Sequence, residues 1–213
     1  MKLKPLLLAS LLSLLGGTAS AQAVSADNGG VRVAVRGVGE VWQDNSISRI
    51  YRGSTFLFGV GIVLPLHKYV VLDIEGGFKR LAGVEVNAFT SEPAGVESAF
   101  EAVPFAFDLE GRLPLQGGEL FLGVGPSITV FTEEHSPRLD TGMVTTEGIK
   151  IGMDTRLGLR FETNLIRPSL SPRNQSAIRG VDVEIWMGRR WQFGQEGFDL
   201  SAWRGGAGLM FRM

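Results

Sequence analysis

The sequence has no cysteine and only two histidines, His67 and His135, among its 213 residues. The lack of cysteine excludes disulfide bonds, thiolate metal sites and a cysteine nucleophile. Two histidines leave little material for a zinc site. A formal net charge of -1 provides no basic surface for nucleic acid, so no nucleic-acid partner is expected. We therefore expect neither a metal ion nor any other cofactor.

Long hydrophobic runs are also missing, and the main apolar run lies at the N-terminus. Two lysines precede this run, which extends from Pro5 to Leu15, and small residues follow it. It is about half of the roughly 20 residues that a helix needs to cross a bilayer, so it is typical of a cleaved signal peptide rather than of a membrane anchor. We predict a signal peptide at residues 1–21, with cleavage after Ala21 or Ala23, and an exported domain at residues 22–213.

Apolar and polar residues alternate along most of the exported part. In the stretch Gly148–Glu162, one face carries Ile149, Ile151, Met153, Leu157, Leu159 and Phe161, and the other carries Lys150, Asp154, Arg156, Arg160 and Glu162. A period of two predicts a strand, because a helix would mix the two sets. The same alternation predicts seven further strands, at 31–42, 54–66, 69–81, 98–113, 120–131, 181–191 and in the final segment ending at Met213. Each is long enough to cross a membrane at a tilt.

The connections between the predicted strands alternate in length. The short ones are residues 67–68 and 114–119, and the long ones are 43–53, 83–97 and 132–147. Short turns at one end and longer loops at the other are typical of outer-membrane barrels. The 17-residue segment 164–180 interrupts this alternation. It is either an enlarged periplasmic loop or a sign that the strand count is wrong there.

Alternation alone does not say which face points inward, but three features favour a membrane barrel over a water-soluble one. The apolar faces carry large side chains that would overfill a small eight-stranded interior. Glycine lies mostly on the polar faces, where a narrow interior needs room. Aromatic residues gather near strand ends in two groups, Trp42, Phe56, Phe131, Trp191, Phe198 and Trp203 on the long-loop side and Phe161 and Phe211 on the other. This distribution is typical of interfacial aromatic belts.

With these features the chain resembles the small outer-membrane β-barrel family, of the OmpA transmembrane-domain and OmpX type. The resemblance rests on the strand pattern and on Leu209, Phe211 and Met213, which match the alternation of the family's C-terminal assembly signal except that the last residue is methionine rather than an aromatic residue. It implies an all-β, eight-stranded antiparallel up-and-down transmembrane barrel in the outer membrane of a Gram-negative cell. The implied partners are outer-membrane lipid, lipopolysaccharide and the barrel-assembly machinery, and a monomer is expected.

The charged residues on the predicted inner faces are the main candidate site. The acids are Glu40, Asp73, Glu75, Asp108, Glu110, Asp154, Glu162, Asp182 and Glu184, and the bases are Arg32, Arg36, Lys79, Arg112, Lys150, Arg156, Arg160, Arg190 and Arg212. Acids and bases are equal in number. Because unpaired charge in a narrow interior is costly, we expect them to pair across strands as a lumenal charge network that plugs the barrel.

The expected function is a structural or surface-loop-presenting role without catalytic residues. One alternative is a small pore or transporter for hydrophobic or ionic solutes, although a transport site would be expected to show an excess of one charge sign. A less favoured alternative is a lipid A-modifying enzyme that uses His135, Ser136 and Asp140 in a long loop. Three polar residues in a loop match no known spacing of a hydrolytic triad.

Overall fold

A computed structural model describes residues 30–44, 50–51, 54–86, 93–135, 144–163, 180–193 and 199–213. These residues contain eight β-strands: β1 (Arg32–Trp42), β2 (Ser54–His67), β3 (Val70–Val86), β4 (Pro93–Leu115), β5 (Gly118–His135), β6 (Val144–Thr163), β7 (Gly180–Phe193) and β8 (Ala202–Arg212). Each strand is antiparallel to the next, and β8 pairs with β1 to close the barrel. The predicted eight-stranded antiparallel up-and-down barrel is confirmed.

The register of the strands sets the tilt of the wall. A row of paired residues that starts at Ser54 on β2 and passes through β1, β8, β7, β6, β5, β4 and β3 meets β2 again at Leu64, ten residues further along. In an eight-stranded barrel, a shift of this size requires strands inclined by roughly 40° to the axis. Side chains alone can fill the interior of a barrel with these dimensions.

The two faces of the wall have the polarity predicted for a membrane barrel. Large apolar side chains point outward on every strand, and examples with more than half of their surface exposed are Phe58, Leu122, Ile149 and Met187. Most charged side chains of the wall point inward, and Arg36, Asp73, Asp108 and Glu184 are completely buried. No helix of the described residues is long and apolar enough to cross a membrane.

Four strands extend well beyond their predicted ends at the long-loop side, and β8 also begins earlier than predicted. β3, β4, β5 and β6 have 17, 23, 18 and 20 residues and continue beyond their neighbours β2 and β7 at the long-loop end. These four strands pair with one another along their extended parts. Their backbone N–H and C=O groups are hydrogen-bonded there even though the side chains do not alternate between apolar and polar. The segment between β6 and β7 joins strand ends on the short-turn side, so the strand count through it is correct. Residues 164–179 lie outside the described residues.

Two of the aromatic residues predicted to face outward lie inside the barrel. Trp42 and Phe131 are buried in a cluster with Tyr51, Phe100, Ala102 and Leu200 at the long-loop end. Each lies an even number of residues from the inward charges on its strand, so its side chain points to the same, inner face. Being near a strand end does not change that direction. Phe56, Trp203 and Phe161 do point outward. Phe198 lies outside the described residues.

Candidate functional site: the lumenal charge network

Most of the charged residues predicted to face inward are buried in the barrel. The buried ones are Arg36, Glu40, Asp73, Glu75, Lys79, Asp108, Glu110, Lys150, Asp154, Arg156, Arg160, Asp182, Glu184 and Arg190. Arg32 and Arg112 retain small exposed fractions of their side chains near the short-turn end. Glu162 and Arg212 lie at the rim, with 65% and 29% of their side chains exposed. The strand register therefore collects the predicted residues into one column of charge, with these last two at its edge.

Arg36 on β1 is the centre of the network, because it bridges carboxylates on two other strands. Its Nη2 and Nη1 donate to the two carboxylate oxygens of Asp73 at 2.5 and 3.1 Å, and Nη1 also donates to Glu75 at 2.9 Å. Its Nε donates to Glu184 on β7. One guanidinium thus holds β3 and β7 against β1 through charge-assisted hydrogen bonds in a buried site.

Arg156 on β6 reaches the same acids from the opposite wall. Its Nη2 lies 2.6 Å from Asp108 and 3.3 Å from Asp73, and its Nη1 donates to Glu75 at 3.1 Å. Asp73 and Glu75 therefore lie between Arg36 and Arg156 and receive positive charge from both sides. This arrangement compensates the desolvation of the four groups and ties β6 to β3 and β4 through the lumen.

Arg160, four residues along β6 from Arg156, extends the network towards the short-turn end. It donates to Glu110 at 2.7 Å, to Glu184 at 3.1 Å and to Glu119 at 3.1 Å. The guanidinium carbon also lies 3.9 Å from the centre of the Phe121 ring. Each donor group of Arg160 is directed to a different strand, and the aromatic face covers the side that carries no donors.

Arg204 on β8 organises the part of the network nearest the long-loop end. Its Nε lies 3.2 Å from Glu40, its Nη2 donates to Glu75 at 3.0 Å, and its Nη1 donates to Asp154. Arg190 donates to Asp154 at 2.7 Å. The same end holds an ammonium group, because Lys79 donates to Glu40 at 2.6 Å. These three carboxylates are thereby shared between cations of different strands.

At the short-turn end, the network surrounds Glu119 on β5. Arg32 and Arg112 lie 3.1 and 3.3 Å from its carboxylate oxygens. Arg212 lies 3.3 Å from Asp182, which also faces Arg32 at 3.7 Å. These pairs are closer to solvent than those around the central arginine of β1, so each contributes less to stability.

Glycines on the inner faces create the space for the largest side chains. A Cβ atom added at Gly61 would approach Arg36 Nη1 to 2.8 Å, and one added at Gly208 would approach Arg36 Cγ to 3.0 Å. At Gly123 the nearest atom would be Glu110 Cγ at 3.1 Å. The predicted purpose of glycine on the polar face is confirmed at these positions: an alanine there would occupy the volume that the charged side chains fill.

An apolar layer separates the network from the long-loop end. Phe100 stacks on Phe131 with ring centres 5.8 Å apart and contacts Trp42 edge-on at 6.3 Å. Lys79 lies 4.1 Å from the centre of the Trp42 ring, directly below this layer. The hydroxyl of Tyr51, which lies between β1 and β2, donates to buried Glu133 at 2.8 Å. A loop residue therefore helps to close the barrel over the charges.

Sequence reasoning missed Arg204 and Glu119, and both could have been found from parity. Arg204 has the same parity as Gly206 and Gly208, but the predicted final strand began too late to include it. Glu119 has the parity of Phe121 but was assigned to a turn. Tyr51 gave no comparable signal, because its burial depends on where a loop folds.

The chemistry available in this interior is mutual neutralisation rather than ligand capture. Arginine or lysine side chains form ion pairs with the buried lumenal carboxylates, although single oxygens such as Asp108 Oδ1 and Asp154 Oδ1 accept no hydrogen bond. The described residues contain no group of three or more side chains arranged to hold a metal ion. Of the residues considered for a lipid-modifying enzyme, Ser136 and Asp140 lie outside the described residues, as does the side chain of His135.

Comparison with solved structures shows the class of fold to which this barrel belongs. Neisserial surface protein A matches with a TM-score of 0.54 at 10% sequence identity, over 86% of this chain and 97% of that chain. A major outer membrane protein from Thermus thermophilus matches with a TM-score of 0.54 at 11% identity, over 86% and 99%. The outer membrane protein OprG from Pseudomonas aeruginosa matches with a TM-score of 0.52 at 10% identity, over 86% and 96%. The chain has the fold of the small outer-membrane barrels.

At the sequence level the chain is more isolated. No protein family model matches it, and no curated protein matches it. The likeness to the three solved barrels is therefore one of fold.

Proposed function

We propose that this protein is an integral outer-membrane barrel whose charge-filled lumen serves as a structural core, and whose function lies in the surface that its long strands and loops present. The observation that carries the proposal is the reversed polarity of the wall. An apolar exterior of this extent would be unstable in water, whereas a lipid bilayer solvates it and the closed sheet leaves no unpaired edge within the membrane.

The occupied interior supports a structural role over a transport role. Arg36, Arg156 and Arg160 each bind at least two acids on different strands. A solute could pass only if several of these buried pairs separated together, at a large cost in electrostatic free energy. The apolar layer around Phe100 adds a second barrier to ions.

The extensions of β3 to β6 support a role at the surface. In these extensions the outward positions carry Arg80, Glu101, Thr145 and Glu147, which are polar or charged, although Val84 and Val144 are also exposed there. A sheet with this composition would stand in water above the membrane and raise the loops that it carries. Contact with lipid and lipopolysaccharide, insertion by the barrel-assembly machinery and a monomeric state belong to the same proposal.

Cell fractionation combined with heat-modifiable gel migration tests the proposed location. We expect the protein in the outer-membrane fraction, with an unboiled sample that migrates differently from a boiled one because the closed barrel resists the detergent. Recovery in the soluble periplasmic fraction, without a change in migration on boiling, would reject the membrane barrel.

A further inference from the structure

Arg189, like Arg80, points outward from the wall rather than into the lumen. It lies on β7 between Met187 and Trp191, on the face opposite to Glu184 and Arg190. Its neighbours across the sheet are Thr155 on β6 and Trp203 on β8. Charged side chains on the lipid-facing wall of a membrane barrel are costly unless they lie near an interface or have a specific partner.

Arg189 is held in a defined orientation by its surroundings. The guanidinium carbon lies 5.1 Å from the Trp191 ring centre and 5.2 Å from the Trp203 ring centre. Its Nη2 donates to the side-chain oxygen of Gln43 at 2.9 Å, and the Thr155 hydroxyl donates to its backbone carbonyl at 3.3 Å. The backbone of Arg189 lies below the end of the apolar wall, because Phe193 on the same strand and Ile151 on β6 also point outward nearer the long-loop end. Its long side chain extends past the two amphipathic indoles to Gln43, beyond the end of β1, where the interface is expected.

The charge of Arg189 has no counterion among the described residues. The buried arginines at the centre of the lumen bind carboxylates, and the outward Arg80 lies 3.5 Å from Glu101. For Arg189 the described residues supply only the neutral Gln43 acceptor, and its buried Nε donates to no acceptor there. Because Gln43 uses its oxygen on Arg189, its amide N–H groups remain available as donors beside the guanidinium.

We infer that Arg189 and Gln43 form a binding site for a phosphate monoester, and that this phosphate is carried by the anionic lipid of the outer leaflet, lipid A. The inference rests on the proposed outer-membrane location. A guanidinium recognises phosphate through two parallel N–H donors, and the flanking indoles both hold its plane and contact the glycolipid around the phosphate. The Arg189 guanidinium reaches Gln43, which follows the last residue of β1 at the long-loop end, and this is the side of the wall where the outer-leaflet headgroups are expected.

Native mass spectrometry of the detergent-purified, folded barrel tests this site with defined probes. Diphosphoryl lipid A is titrated against the wild type, Arg189→Gln and, as a matched control, Arg80→Gln, which removes an outward arginine that already has a carboxylate partner. We expect Arg189→Gln to weaken binding about tenfold and Arg80→Gln to leave it within about twofold, as for the loss of one charge-assisted phosphate contact. Gln43→Ala, at an exposed position, should give a smaller loss in the same direction.

Further probes separate a lipid headgroup from a free phosphate. Dephosphorylated lipid A should bind the wild type as weakly as diphosphoryl lipid A binds Arg189→Gln, and inorganic phosphate alone should not compete at millimolar concentration. Competition by inorganic phosphate would assign the site to soluble phosphate and reject the lipid. Equal binding of diphosphoryl lipid A by wild type and Arg189→Gln would reject the site altogether.

Gel migration before and after boiling is measured for every variant, so that loss of folding is not mistaken for loss of the site. A heat-modifiable barrel in the outer membrane with unchanged lipid A binding in Arg189→Gln would contradict the phosphate site and leave the proposed function standing. Recovery of the protein in the periplasm would reject the proposed outer-membrane function, and the lipid A site with it.

Discussion

At the scale of single residues, stability depends on whether each lumenal charge retains its partners. Arg156 is the clearest case, because its Nη2 lies 2.6 Å from Asp108 and its Nη1 donates to Glu75 at 3.1 Å. Among the described residues, Arg156 is the cation that forms an ion pair with Asp108. Glu75 by contrast is also contacted by Arg36 and Arg204.

Arg156→Ala is therefore expected to destabilise the barrel by about 3–5 kcal/mol, because Asp108 is left buried without this positive partner. Urea unfolding of the protein in lipid vesicles, followed by tryptophan fluorescence, gives the free energy of unfolding. The control is Arg80→Ala, which removes an exposed ion pair and should change stability by less than about 1 kcal/mol. Similar losses of unfolding free energy in both variants would show that the lumenal ion pairs stabilise the barrel no more than an exposed pair does.

Glycine at inward positions is also tested residue by residue. Gly61→Ala should destabilise the barrel by about 1–3 kcal/mol, since its Cβ would approach Arg36 Nη1 to 2.8 Å and Arg36 is fixed by several carboxylates. Gly111→Ala on the outer face is the matched control, because its Cβ would have no neighbour closer than 4.0 Å. We expect this control to be neutral or slightly stabilising in the same unfolding measurement. A neutral Gly61→Ala would mean that the network can shift to accept a methyl group.

At the scale of elements, each strand combines an apolar outward face with a charged or small inward face. β6 has the most regular alternation, and its outward Leu157 is 47% exposed in the middle of the wall while inward Arg156 is 1% exposed. Leu113 on β4 also points outward but lies near the short turn. The same substitution at these two positions therefore differs mainly in depth.

Leu157→Arg is expected to cost about 2–4 kcal/mol of folding free energy in a bilayer, whereas Leu113→Arg should cost about 0–1 kcal/mol because the side chain can reach the interface. Refolding into vesicles at a series of urea concentrations measures both. Equal tolerance of arginine at the two positions would contradict the assignment of the apolar face to lipid.

At the scale of the whole molecule, the barrel is a closed sheet around a filled lumen, and its permeability follows from that filling. The purified protein in a planar bilayer is expected to conduct ions poorly. Arg156→Ala should reduce stability without opening a stable pore, because the remaining arginines still occupy the lumen and the layer around Phe100 remains in place. Large, long-lived and ion-selective single-channel currents from the wild-type protein would reject the plug and favour the pore.

The sequence by itself determined the strands and the polarity of their faces, because a period of two is a local property that any strand with one apolar and one polar face must show. It predicted most of β6 and assigned Arg36, Asp73, Glu75 and Arg156 to the inner face. It could not say which acid each arginine binds. Partners such as Arg36 and Glu184 are separated by 148 positions in the chain and meet only through the register of several strands.

Tertiary structure alone decided the lengths of β3 to β6, the packing of Trp42 and Phe131 into one cluster with Tyr51, and the contacts of Arg189. Pairing with a neighbouring strand extends a sheet without any apolar alternation, so the longer strands leave no local signal. An aromatic residue near a strand end can join a belt or a lumenal layer, and only its parity within the closed barrel separates the two. Arg189 and the lumenal Arg190 are adjacent on β7, so their side chains point to opposite faces of the wall. Arg189 therefore contacts two tryptophans instead of carboxylates.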